Sequence, residues 1–118
     1  MGLWILADTS VGFVLLVVGL VFRARPPKKI NDLIGYRTSR SQKNQDTWDE
    51  ANRYSALMMI RVSLAAIAAG FVCALFLGVP GVFISEGAAL SLVFYMIYLT
   101  EKHLKTVFDQ DGNRKEEP

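Results

Sequence analysis

Charge is not spread along this chain. From Leu3 to Phe22 the sole formal charge is Asp8, and from Val62 to Thr100 it is Glu86. A helix needs about 20 apolar residues to cross a hydrocarbon core of about 30 Å. Inside lipid the backbone must satisfy its own hydrogen bonds, so runs of this kind are helical. A water-soluble domain of 118 residues would scatter its charges. With 52% hydrophobic residues and a mean hydropathy of +0.28, the chain reads as an all-α integral membrane protein.

The first span is expected at about residues 3–22, with Trp4 as an interfacial anchor. Pro26 and Pro27 stop that helix, since they donate no backbone hydrogen bond and clash with the preceding turn. A polar segment, 23–55, follows. A second helix is expected to begin near Ser39 or Ser41, both good N-caps. It should run unbroken into a second span at about 56–78, where Arg61 can snorkel to the headgroups. Gly78-Val79-Pro80-Gly81 reads as a tight turn. A third helix should run from about Val82 to Phe108, its lipid-embedded part being 82–100. Residues 1–108 then form a single membrane domain. Residues 109–118, polar and without apolar periodicity, read as a disordered cytoplasmic tail.

Orientation follows from the basic residues. All 13 Lys and Arg flank either the connection between helices 1 and 2 or the end of helix 3. The positive-inside rule makes both places cytoplasmic. The expectation is three spans, N-out and C-in, in a plasma membrane, with Arg23, Arg25, Lys28 and Lys29 beside anionic headgroups. Helix 2 carries Ala66, Gly70 and Ala74 at intervals of four, and helix 3 carries Gly87 and Ser91. Small residues let helices approach in lipid, so helices 2 and 3 are expected to meet there. The same packing leaves a homo-oligomer open.

Several chemistries find no support. Cys73 is the sole cysteine and His103 the sole histidine. That excludes an intrachain disulfide and a His-rich metal set. No catalytic triad spacing or phosphate-binding glycine loop is present. The basic residues hug the membrane and form no nucleic-acid face. The chain is read as non-enzymatic, without cofactor or metal.

The informative stretch lies between the first two spans. It runs Ile30-Asn31-Asp32-Leu33-Ile34-Gly35-Tyr36-Arg37-Thr38 and continues through Ser41, Asn44, Trp48, Ala51 and Asn52. On a helix, Asn44, Trp48 and Asn52 share one stripe. Such a stripe can clamp the preceding loop, with Arg37 paired to Asp49 or Glu50, or it can bind a ligand or protein. The two readings are compatible and both stay open. The string Lys29-Ile30-Asn31, Ile34-Gly35-Tyr36-Arg37-Thr38, Ser41, Asn44, Trp48 and Ala51-Asn52 resembles the signature of the SdpI family of bacterial membrane proteins, named for an immunity protein against a secreted killing peptide. The resemblance implies Asn31, Gly35, Tyr36, Arg37, Thr38, Asn44, Trp48 and Asn52 as motif residues. It also implies a role in immunity, bacteriocin resistance or signalling, with a peptide toxin or a cytoplasmic regulatory protein as partner.

Asp8 and Glu86 each lie about five residues inside a span, roughly 8 Å deep from the outer side. Ionisable residues in a span are functional candidates. They keep open a second reading, a small oligomeric proton-coupled transporter. A third is an accessory subunit of a larger membrane complex.

Overall fold

The longest element begins at a capping box. Asn44 is extended (φ −158°, ψ 178°), and its side chain accepts a hydrogen bond from Thr47 N at 2.9 Å. Thr47 Oγ1 returns the favour to Asn44 N at 3.0 Å, so two otherwise unsatisfied donors are met. Asp46 sits in the first turn, where the helix dipole favours an acid. From this start α2 runs without interruption over Gln45–Leu77. It is preceded by α1 (Trp4–Ala24) and followed by α3 (Pro80–Val107). The computed structural model describes residues 4–31 and 33–115, without the side chains of Trp4, Ile5 and Asp8.

The helix start corrects the expectation placed on Ser39 and Ser41. Ser41 is fully buried and its hydroxyl is committed to the loop, so Asn44 takes the cap. At the other end α2 stops at Gly78, which adopts φ 63°. Pro80 opens α3, where its missing N–H costs nothing.

The molecule is 53 Å long against 28 and 20 Å across. The helices α2 and α3 are long and apolar enough to cross a membrane. The helix α1 is 21 residues long, and its described stretch Thr9–Ala24 is apolar. Large apolar side chains such as Phe76, Phe83 and Phe94 point outward. In lipid that is their solvated side.

Within the apolar part the helices approach through small residues. A Cβ on Gly12 would lie 2.7 Å from Ile67 Cγ1, and one on Gly19 would lie 3.0 Å from Ile60 Cγ1. These two glycines seat α1 on α2. A Cβ on Gly81 would meet Cys73 O at 2.7 Å, which seats the start of α3 on the end of α2. Ala66, Gly70 and Ala74 are buried. The residues expected on α3 are not the ones used: Gly87 and Ser91 are exposed, and nothing lies within 4 Å of a Cβ at Gly87. The buried face of α3 is Gly81, Ser85, Ala89, Met96, Thr100 and Leu104. Gly87 lies two residues from both Ser85 and Ala89, about 200° around the helix, and so faces away.

The last residues also depart from expectation. Residues 109–115 are not a loose tail. Phe108 bridges to Arg114, and Lys115 N donates to Val107 O at 2.9 Å, closing a small hairpin. Arg114 forks onto Asp46 with two 2.8 Å bonds and lies over the Phe108 ring. Residues 116–118 lie outside the described part.

Candidate functional site

At the polar end of the bundle the segment between α1 and α2 is tied down by side chains of α2. Trp48 is fully buried, and its indole N–H donates to Pro27 O at 2.7 Å. Asn52 lies one turn further on. Its Oδ1 accepts from Tyr36 N at 2.8 Å and its Nδ2 donates to Trp48 O at 2.9 Å. Both halves of that carboxamide are therefore occupied. Ser41 Oγ donates toward Tyr36 O at 2.9 Å and accepts from Thr38 N at 2.8 Å. A loop with no regular structure thus has its backbone groups met by side chains.

Gly35 is required where it stands. Its φ of 112° is a conformation that side-chain-bearing residues rarely adopt. An added Cβ would also lie 2.7 Å from Asn52 Oδ1 and 2.9 Å from Pro27 Cγ. Tyr36 then crosses to α3, where its hydroxyl points to Ile97 O at 3.4 Å. Burial, followed by the neighbouring Glu101 carboxylate, pushes the Tyr36 phenol above its usual range, so it stays a neutral donor. Beneath it Ala51, Leu104 and Phe108 form a small core.

The motif residues divide into groups. Gly35, Tyr36, Trp48 and Asn52 meet in one place. Thr38 joins them through Ser41. Asn31 stands apart and shapes its own turn: its Oδ1 accepts from Leu33 N and Ile34 N at 2.9 and 2.7 Å, and its Nδ2 donates to Lys29 O at 2.9 Å. Asn44 faces the C-terminal hairpin, donating to Gly112 O at 2.8 Å. Arg37 is exposed. The expected pairing of Arg37 with Asp49 or Glu50 is replaced by other partners for those acids. Asp49 accepts from Gln45 Nε2 at 2.7 Å. Glu50 takes Arg53 and His103, each at 2.6 Å.

That last cluster ties α2 to α3. The Arg53 guanidinium, followed by His103, holds the Glu50 carboxyl down at about 2. The His103 ring stacks on Tyr54 with centroids 4.0 Å apart. Sequence reasoning missed this cluster, since Glu50 and His103 are 53 positions apart. Pro27 and Gly112 were missed for the same cause: both contribute a backbone carbonyl, which no residue type announces.

A cleft of about 260 Å³ opens between the loop and the bundle. Phe22 of α1, Met59 of α2, and Met96 and Ile97 of α3 give it apolar walls; Gly35–Thr38 and Ser55 form the rest. All three helices and the Gly-Tyr-Arg-Thr turn therefore meet around one opening. Glu86 is not among the residues that line it. Glu86 is half-buried on the second turn of α3, and Asp8 lies on α1 with its side chain outside the described part. Among the described residues no group of three or more His, Cys, Asp or Glu could hold a metal ion.

This clamped arrangement spans the stretch that a model of the SdpI/YfhL protein family matches, residues 28–99. The chain belongs to the SdpI/YfhL family. The protein YfhL of Bacillus subtilis (strain 168), described as uncharacterized, is 38% identical over 102 residues, covering 86% of this chain and 88% of that protein. No solved structure matches. The SdpI/YfhL match takes in the loop, α2 and most of α3. It leaves out α1 and the C-terminal hairpin, although Gly12, Gly19 and Gly112 make some of the closest approaches in the molecule.

Proposed function

We infer that this is a multi-pass plasma-membrane protein of the SdpI type, with three spans, N-out and C-in. It protects the cell against, or senses, a secreted antimicrobial peptide or envelope stress through the Gly-Tyr-Arg-Thr loop, without enzymatic chemistry. One observation carries the reading. The buried motif residues Trp48 and Asn52 are committed to holding the loop, whereas Tyr36, Arg37 and Thr38 line an open cleft. A chain that needed only a connection between two spans would not fix a glycine at φ 112° to present an arginine at a cleft mouth. The partner is a peptide toxin in the membrane or a cytoplasmic regulatory protein that reads the loop.

Two experiments test this. Cysteines at position 2 and at Val79 in a Cys73→Ala background should label from outside intact cells, and one at Gln42 should not; outside labelling at 42 overturns the topology. Cells carrying Arg37→Ala should lose peptide protection while the protein is still folded and present in the membrane. Arg37→Lys should not restore protection, because Lys lacks the planar fork of Arg. Full protection from a stable Arg37→Ala protein overturns the role of the loop.

A further inference from the structure

The loop carries an apolar tip that nothing in the bundle covers. Leu33 is 87% exposed and Ile34 55%, with Ile30 at 38% beside them. The exposure is not a consequence of slack chain. The Asn31 carboxamide holds Lys29 O, Leu33 N and Ile34 N together, which fixes the turn with its apolar side chains outward. Along this stretch of chain the charge is one-sided, and the acid that faces it from α2 is Asp49, beside Lys28. Residues 23–34 hold Arg23, Arg25, Lys28 and Lys29 against the single acid Asp32. All four cations are exposed, and none makes an ion pair among the described residues.

The depth of this tip follows from its neighbours. Tyr36 reaches Ile97, and Gly35–Thr38 line the same cleft as Phe22, Met59 and Met96, so the loop lies at the inner end of the apolar runs. Its main anchor, Asn52, is four residues before Ala56, or about 6 Å along α2. The headgroup layer on each side of a bilayer is roughly 5–8 Å deep. The tip thus sits in that layer. Apolar side chains flanked by cations are the composition that lies in an anionic interface.

We propose that the side chains of Ile30, Leu33 and Ile34 insert into the inner leaflet and, with Arg23, Arg25, Lys28 and Lys29, seat anionic phospholipid against the clamped loop. The occupant is lipid because the exposed cations complement anionic headgroups and the apolar side chains adjoin the inner ends of the spans, with Lys28 furthest out beside Gln45. This rests on the membrane reading given above. It gives the loop a second contact: the cleft side faces its partner and the tip side faces the bilayer.

The test uses the full chain in a Cys73→Ala background, in nanodiscs of phosphatidylcholine with or without phosphatidylglycerol. A polarity-sensitive fluorophore is placed in turn at Leu33→Cys, Gln42→Cys and Phe76→Cys. The probe at 33 should emit to the blue of the probe at 42 and be quenched by lipids spin-labelled near the headgroup, more strongly with phosphatidylglycerol. Replacing Lys28 and Lys29 by Ser should lower phosphatidylglycerol retained through purification, about fivefold per cation. A water-like probe at 33 beside an embedded probe at 76 would overturn the lipid contact and leave the tip to a soluble protein, with the membrane reading intact. A water-like probe at 76 would overturn both. Unchanged retention in the Lys28→Ser, Lys29→Ser protein would also overturn the proposal.

Discussion

The two ends of the bundle are held by different means. Toward the Gly78 turn, contact is made by glycine and alanine, and hydroxyls fold back onto their own helices. Ser63 bonds Ile60 O at 2.7 Å, Ser91 bonds Gly87 O at 3.0 Å, and Ser85 bonds Val82 O at 3.1 Å. At the loop end the side-chain bonds link distant segments: Trp48 to Pro27, Asn52 to Tyr36, Asn44 to Gly112 and Asp46 to Arg114. Where lipid is the solvent, close backbone approach supplies the association. An irregular loop has no internal ladder, so each of its polar groups needs a partner from elsewhere. One sequence therefore obeys two rules within 53 Å.

The sharpest way to break that contrast is Trp48→Ala. It removes the largest fully buried side chain and the bond to Pro27, and should cost about 3–5 kcal/mol. The melting temperature in detergent and the membrane abundance should both fall; a protein that melts like the parent would show that the loop is held without Trp48. Asn52 comes next. Asn52→Ala strands the Tyr36 amide at a cost of about 1–3 kcal/mol. Asn52→Asp keeps that acceptor but cannot donate to Trp48 O, so it should melt between the parent and the Ala variant.

On the bundle side, Gly19→Leu forces bulk against Ile60 and the α2 backbone, and should cost about 1–3 kcal/mol. Amide exchange should rise in α1 while the amides of residues 35–52 stay protected. Loss of protection in both places would show that the two ends are one cooperative unit.

Acid should act on the loop end through Glu50. Its carboxyl is held near 2 against an ordinary 4.5, so its contribution is complete above pH 4.5 and is lost as the pH falls toward 2. Glu50→Gln should remove this part of the melting-temperature slope; an unchanged slope would assign it to other carboxylates. The smallest effect is expected from Arg114→Ala, an exposed pair that water screens. Its melting temperature should barely move, while exchange at Asn44 and Asp46 quickens.

What was legible in the sequence follows the same division. Long charge-poor runs predict helices because lipid leaves the backbone few alternatives. Spacing alone puts Trp48 and Asn52 on one face. It does not say which carbonyl or amide each side chain meets, since backbone partners carry no residue identity. The α3 face was misread because small residues are frequent all around that helix, and a Cβ on Gly87 would meet only open space. Residues 109–115 looked like solvated tail because their contacts are non-local: Arg114 finds Asp46 across 68 positions. The Asn44–Thr47 capping box was the signal that would have fixed the start of α2.

Asn44 has one further consequence. Its oxygen serves the start of α2, and its nitrogen holds Gly112, a residue synthesised only after the whole of α3. During translation the loop can fold onto α2 early, but this lock closes late, when α3 has already delivered the hairpin back to the side where the loop waits. A nascent chain in which α3 took the opposite orientation would leave Asn44 and Asp46 without Gly112 and Arg114. The hairpin is thus a fastening that can close only once α3 has returned its far end to the side of the loop.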